Sequence, residues 1–225
     1  MIKIAHRGST QRKIIDNRGN PNYYKFPENS ILSYINAIEQ GFDMIEADVL
    51  LTKDNQLIML HDIHIGGRYT KNMTYKEIQQ IKPHVPTFQQ FCSCVLPNIK
   101  IILDIKGDNT TGIALIDFFK TNNINLDNFY FSSFNRNHLA TLYNYNNNLK
   151  LGLIYDGVLL DKEKTFIIDL FNLKFVSVYW GNLHKEEIEF YKKLGIKVFI
   201  WTNKNHITRR LIPNNVDGII TDYYF

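Results

Sequence analysis

Strand-like and helix-like segments alternate through almost the whole of this 225-residue chain, and that alternation restricts the fold more than any single motif. Apolar, β-branched runs predict strands over residues 2–5, 44–49, 99–105, 129–132, 149–155, 175–178, 197–201 and 218–221. Between them, helical spacing of apolar residues predicts helices over 28–40, 87–95, 112–122, 136–145, 162–171, 184–194 and 206–211. The first carries Ile31, Leu32, Ile35 and Ile38 as its apolar positions and ends at Gly41, the residue type favoured just past a helix. One further strand, 57–60, folds back on the second through a Lys53-Asp54-Asn55-Gln56 turn. A strand, a crossover helix and a second strand place the two strands parallel, and eight such units close most readily as a TIM (β/α)8 barrel. An open doubly wound sheet also alternates, but no Gly-x-Gly-x-x-Gly or Walker loop follows the first strand. The expectation is one α/β barrel domain over 1–225. Its last outer helix is truncated or missing, because the sequence stops just after the eighth strand.

Unusual polar residues collect at the carboxyl ends of these strands, the end that carries the active site of a parallel barrel. Ile45-Glu46-Ala47-Asp48-Val49 sets two acids two residues apart in an apolar strand, so both point to one face. Two carboxylates about 5 Å apart repel by roughly 3 kcal/mol at an effective dielectric near 20, which calls for a neutralising cation. His6-Arg7 follows the first strand, His61-Asp62 ends the back-folded one, and Asp104 with Lys106 ends the third. Three carboxylates at Glu46, Asp48 and Asp104 suit a hard cation, Mg²⁺ or Ca²⁺. The alternative for these acids is a buried ion-pair network with Lys106 and Arg7. By residue type His6 and His61 are also zinc ligands, but two imidazoles beside a hard-cation site fit better as an acid and a base. His64, His84, His138, His184 and His206 lack such neighbours and read as surface or loop residues.

Bulk properties remove other classes. The net charge of +4 is scattered along the chain, which favours anionic substrates without forming a nucleic-acid-binding stripe. Cys92 and Cys94 are the only cysteines, and two residues apart on a helix they face different ways, so reduced thiols and an intracellular location are expected. No signal peptide or transmembrane run is read, and the expected location is cytoplasmic.

The ordered segments Ala5-His6-Arg7-Gly8, Pro27-Glu28-Asn29-Ser30, Glu46-Ala47-Asp48-Val49, Leu51-Thr52-Lys53-Asp54 and His61-Asp62 resemble the signature of glycerophosphodiester phosphodiesterases. Leu103-Asp104-Ile105-Lys106, Ser132-Ser133-Phe134, Trp201-Thr202-Asn203 and Asp217-Gly218-Ile219-Ile220-Thr221-Asp222 are similar to later segments of that family. The resemblance implies a TIM-barrel hydrolase that cleaves glycerophosphodiesters to glycerol 3-phosphate and an alcohol with one divalent cation. It implies Glu46, Asp48 and Asp104 as metal ligands and His6 and His61 as the acid–base pair. Arg7 and Lys106 would grip the phosphate, and Glu28, Asn29 and Trp201 would shape the substrate pocket.

The chain departs from that pattern in three places. The third-strand acid is Asp104 where the family has Glu, and one methylene less moves the carboxylate by roughly 1.5 Å. The insertion after the second strand, between His61 and Asp104, is short, which implies an open mouth. The loop from Gly8 to Pro27 is long and mixes Arg12, Lys13, Arg18 and Lys25 with Tyr23, Tyr24 and Phe26. Such a loop suits weak contact of residues 9–27 with a membrane surface or an anionic substrate, or a lid packed on the rim with solvated charges. An Asp-x-Lys pair with a short insertion is also similar to sphingomyelinase D-type phospholipases, which lack the Pro-Glu-Asn segment. The alternative function is therefore a phospholipase D-like enzyme acting on lysophospholipids or sphingolipids. No nucleic acid and no obligate protein partner is inferred.

Overall fold

The computed structural model describes residues 1–15, 21–204, 206–213 and 215–224, with side chains left aside at 12–15, 21–24 and 206–208. Eight parallel strands form the barrel: β1 (Ile2–Ala5), β2 (Met44–Leu51), β3 (Lys100–Ile105), β4 (Phe129–Ser133), β5 (Leu151–Tyr155), β6 (Phe175–Tyr179), β7 (Lys197–Asn203) and β8 (Gly218–Thr221). Each pairs with the next, and β1 pairs with both β8 and β2, which closes the cylinder. The leftover strand Leu57–Met59 runs antiparallel on the end of β2. Its turn is built by Thr52, whose Oγ1 donates to Asp54 Oδ1 at 2.6 Å and accepts from the Gln56 amide at 2.9 Å.

Among the described residues eight α-helices stand around and beside the strands: α1 (Ile31–Glu39), α2 (Tyr75–Ile81), α3 (Phe88–Val95), α4 (Asn109–Asn122), α5 (Arg136–Tyr145), α6 (Asp161–Phe171), α7 (Lys185–Lys193) and α8 (His206–Leu211). Among the described residues none is long and apolar enough to cross a membrane, and no helix follows β8. α2 and the small ribbon His64–Ile65/Arg68–Tyr69 were not expected. Both belong to the insertion after β2, which packs Leu50, Ile58, Leu60, Ile65, Met73, Ile78 and Val85 into a core of its own.

The first helix begins three residues later than its spacing predicts. Ser30 caps it, accepting from the Ser33 amide at 3.2 Å, while the Ser33 hydroxyl receives the Ser30 amide at 3.2 Å. That leaves Pro27-Glu28-Asn29 outside the helix. Its buried face also differs: Ser33, Tyr34, Asn36 and Ala37 are inside, while Leu32 and Ile35 are exposed. The polar members are buried because they bind the loop after β1. Ser33 Oγ donates to the Arg7 carbonyl at 3.1 Å, and Asn36 Nδ2 to the Ser9 carbonyl at 2.8 Å. Gly8 allows that approach, since a Cβ there would lie 2.5 Å from Ser33 Oγ and 2.8 Å from the Ser33 carbonyl carbon.

The long segment after Gly8 is an antiparallel ribbon rather than a plain loop, with Gln11–Ile15 paired to Pro21–Lys25. Of the cations and aromatics expected to act there, the side chains of Arg12, Lys13, Tyr23 and Tyr24, and all of Arg18, lie outside the described residues; Lys25 is exposed and Phe26 half-buried.

Strand pleating divides the residues into two shells. Outward-facing Ile45, Ala47, Val49, Ile101, Leu103, Ile105, Phe129 and Phe131 pack against the helices in the main core. Inward-facing residues are apolar at the amino end, where Ile4, Met44, Ile102, Phe175, Phe199 and Ile220 fill the barrel. β5 supplies no side chain at that level. A Cβ on Gly152 would sit 2.3 Å from the Phe175 ring, so glycine is what lets the phenyl group cross the interior. Further along the same strands the inward residues become polar. Neighbouring strands share this register, with Asp48 beside Asp104 and Asp104 beside Ser132.

Candidate active site

The inward face of β2 carries Met44, Glu46 and Asp48 in turn, so one strand passes from apolar packing to two carboxylates within five residues. With Asp104 of β3 they form a buried cluster whose ligand oxygens lie within 4.8 Å of one another. It is the arrangement that the alternation at 46 and 48 implied.

His6 follows β1, anchored by its amide to the Thr221 carbonyl at 3.0 Å. Its Nδ1 meets Asp222 Oδ1 at 2.6 Å. Burial works to lower the ring's pKa, but the Asp222 hydrogen bond and the Glu46 charge outweigh it and leave it raised. His61 follows the back-folded strand; its Nδ1 meets Asp62 Oδ1 at 3.1 Å, and Asp62 accepts from Lys82 Nζ at 2.9 Å. The Lys82 and His61 hydrogen bonds hold the Asp62 carboxyl below its ordinary range. Each imidazole thus has one nitrogen committed to a carboxylate.

Arg7 and Asn29 hold left-handed backbone at φ 53° and 50°, a conformation that costs about 1–2 kcal/mol in residues with a Cβ. Hydrogen bonds fix both. The Arg7 amide donates to Glu46 Oε2 at 2.9 Å, and the Asn29 amide to the Arg7 carbonyl at 2.9 Å. The Arg7 guanidinium reaches Glu28 at 2.8 Å and Asp48 at 3.3 Å. Asn29 stands behind Asp48 rather than on a cavity wall: its Nδ2 donates to Asp48 Oδ2 at 2.8 Å and its Oδ1 accepts from the Asp48 amide at 3.2 Å. Tyr34 OH completes this support, donating to Asn29 Oδ1 at 2.9 Å.

Lys106 is held over β3 by its amide on the Val49 carbonyl at 3.0 Å, and its ammonium lies 2.5 Å from Asp104 Oδ2 and 3.4 Å from Asp48 Oδ1. The ion-pair network weighed as an alternative for these acids is therefore present, but it does not satisfy them. Two basic side chains face three buried carboxylates, and Asp104 Oδ1 is buried without a hydrogen-bond partner. Burial and repulsion from Asp48 push Glu46 up to about 7. Burial, with the same repulsion, does so for Asp104, although Lys106 pulls the other way. Asp48 is lowered despite burial, because Lys106 and Arg7 face it. A divalent cation held at about 2.0–2.6 Å sets its ligand oxygens about 3–5 Å apart, which the cluster matches. The orphaned oxygen, the oxygen-only donor set and the unbalanced charge all fit such an ion, and no histidine belongs to the cluster.

His6, Arg7, Glu46, Asp48, His61, Asp104, Lys106 and Trp201 line a single chamber of about 90 Å³. Next to it lies an outer cleft of about 980 Å³ that shares His6, Arg7, His61 and Trp201 and adds Glu28. Trp201 donates its indole N–H to the Ser177 carbonyl at 3.2 Å and is flanked by Phe134 and Tyr179, with ring centres at 5.8 and 5.5 Å. All the residues singled out from the sequence converge here except Asn29, which buttresses from behind.

Asp222, the carboxylate partner of His6, was not singled out from the sequence. The signal was available, since it directly follows the last strand, at the same end as His6. His84 lies, as read, in the turn after α2, where it also lines the outer cleft. His138 corrects the surface assignment outright: it is fully buried on α5, with Nε2 donating to the Asp108 carbonyl at 2.8 Å and Nδ1 beside Ser133 Oγ at 3.0 Å. His64 is exposed, His184 precedes α7, and the side chain of His206 is outside the described residues.

Comparison with known proteins agrees with this fold. The sequence profile of the Glycerophosphoryl diester phosphodiesterase family matches residues 6–224. A glycerophosphodiester phosphodiesterase of Caldanaerobacter subterraneus subsp. tengcongensis is 29% identical over 98% of this chain and 93% of its own length. A glycerophosphodiester phosphodiesterase structure from Parabacteroides distasonis superposes with a TM-score of 0.79 at 24% identity, covering 98% of this chain and 92% of that one. A phosphodiesterase of Oleispira antarctica, solved with the product sn-glycerol-3-phosphate, superposes with a TM-score of 0.82 at 19% identity, covering 99% and 93%. The chain belongs to the glycerophosphoryl diester phosphodiesterase family, a family of phosphoric diester hydrolases.

Proposed function

We propose that the protein hydrolyses glycerophosphodiesters to glycerol 3-phosphate and an alcohol, with His6 and His61 as the acid–base pair and one divalent cation on Glu46, Asp48 and Asp104. The observation that carries this reading is the single chamber lined by both histidines and all three acids. A divalent cation there supplies positive charge against phosphoryl oxygens as they gain negative charge. Arg7 and Lys106 add donors on the same wall, and Glu28 orients Arg7 through its 2.8 Å hydrogen bond. With Nδ1 of each imidazole turned to a carboxylate, Nε2 of each is left for the substrate. One Nε2 takes the proton of the attacking water and the other delivers a proton to the departing alkoxide. Asp222 holds His6 in the tautomer this needs, and Asp62, steadied by Lys82, does the same for His61. Trp201 closes the apolar side of the chamber.

The test is release of glycerol 3-phosphate from glycerophosphocholine with Mg²⁺ or Ca²⁺, beside lysophosphatidylcholine as competitor. Turnover of the short diester, lost in both His6→Ala and His61→Ala, supports the reading. A strong preference for the acylated substrate would replace it with the phospholipase D-like activity.

A further inference from the structure

The outer cleft is about 980 Å³ against about 90 Å³ for the chamber, which leaves ample room beyond the reacting phosphate for the alcohol side of a diester. The walls of this cleft carry two cationic side chains that the reaction itself does not use. Arg7 is paired with Glu28, His6 with Asp222, and Lys82 with Asp62. Lys25 and Lys204 remain. Both line the cleft, both are exposed, and neither has a carboxylate at ion-pair distance among the described residues. They come from different elements, Lys25 from the end of the ribbon strand Pro21–Lys25 and Lys204 from the position directly after β7.

The same cleft is also lined by Phe26, Tyr179, Trp180 and Trp201. Aromatic faces alone would suit a quaternary ammonium headgroup. Two unpaired ammonium groups on the same walls oppose one and favour an anion, while the rings remain suitable for the C–H faces of a polyol.

We propose that Lys25 and Lys204 form a second anion subsite that selects glycerophosphodiesters whose alcohol carries a further phosphate. This rests on the phosphodiesterase reading and names its substrate class. Cleavage consumes one water: the P–O bond to the alcohol breaks, the water oxygen joins phosphorus, and the alcohol leaves with a proton and its own phosphate intact.

The experiment compares kcat/KM for glycerophosphoglycerol phosphate, glycerophosphoglycerol and glycerophosphocholine, in the full-length protein with divalent cation. At low salt the phosphorylated diester is expected to exceed the choline diester by about tenfold, or about threefold per ammonium, and the ratio falls as salt rises. In Lys25→Gln/Lys204→Gln the preference disappears through KM, while turnover of the choline diester is unchanged. Equal kcat/KM for all three, or equal loss on all three in the double variant, overturns the subsite. A second arm measures sedimentation with phosphatidylglycerol vesicles. Binding that the double variant abolishes, with no charge preference among the soluble diesters, assigns the two lysines to a lipid surface and overturns the proposal. No turnover of any diester would overturn the phosphodiesterase reading as well, which separates the two failures.

Discussion

The two ends of the barrel interior are built from the same strands and the same pleat, yet they are opposite in character. At the amino end Ile4, Met44, Ile102, Phe175, Phe199 and Ile220 pack into an apolar plug. Two residues further along β2 and β3 the same inward positions hold Glu46 and Asp104, with Asp48 beyond. The plug closes the cylinder and excludes water from below. The upper layer concentrates charge that burial makes unfavourable, which is the condition under which a cation or an anionic substrate gains most from binding there. On the proposed function stability belongs to the lower layer and chemistry to the upper one, and substitutions at each end should separate the two.

The largest effect is expected from His6→Ala. Loss of one acid–base group should lower kcat by about 10²–10⁴-fold, with a change in melting temperature of only a few degrees. Stopped assays beside thermal unfolding check both readouts; a variant that keeps near-normal turnover, or that simply unfolds, breaks the division. Phe199→Ala is the counterpart in the plug. Truncating a fully buried ring should cost about 3–5 kcal/mol in denaturant unfolding, with kcat per folded molecule retained. A loss of kcat larger than the loss of folded fraction would show that the lower layer also shapes the chamber.

Divalent cation should move the same balance from the other side. Three buried carboxylates pressed together destabilise the fold, so an ion that relieves them should raise the melting temperature. At a hundred times its dissociation constant the gain is about 2.7 kcal/mol, and Asp48→Asn should remove most of it. Calorimetric titration with Mg²⁺ and with Ca²⁺ checks binding without reference to activity. Equal thermal shifts in the wild type and Asp48→Asn would place the ion elsewhere.

What could be read from the sequence follows the reach of each physical rule. The pairing of Glu46 with Asp48 was legible because side-chain alternation in a strand is strictly local, and the strand-end rule extended it to His6, His61 and Asp104. Asp222 was not recognised because its importance depends on a partner 216 residues away, met only when β8 closes against β1. The buried face of α1 was misread for a similar reason. Ser33 and Asn36 are buried by bonds to the loop after β1, which apolar periodicity does not register. α2 was overlooked although Thr74 and Glu77 form a readable capping box, since only one of its residues, Ile78, is buried.

His138 tests the division from outside the barrel interior, and its effect should be the smallest. Its ring spans the segment after β3 that carries Lys106: Nδ1 lies 3.1 Å from the Ile105 carbonyl and Nε2 donates to the Asp108 carbonyl. Gly112 on α4 faces it, where a Cβ would come to 3.6 Å from the ring. Burial lowers its pKa below the ordinary 6.5, against the opposing pull of the Asp108 and Ile105 carbonyls. In the acidic range below that value the unfolded chain therefore binds the proton more readily than the fold does. Stability rises with pH up to about 6.5 through this group and is lost as pH falls below it. His138→Gln, which keeps a donor of similar reach, should cost about 1–3 kcal/mol at neutral pH and flatten the acid limb of the stability profile. Because the ring braces the loop of Lys106 without entering the chamber, the variant should raise KM more than it lowers kcat. A fall in kcat comparable to that of His6→Ala would instead mean that the wall behind the strands is part of the chemistry.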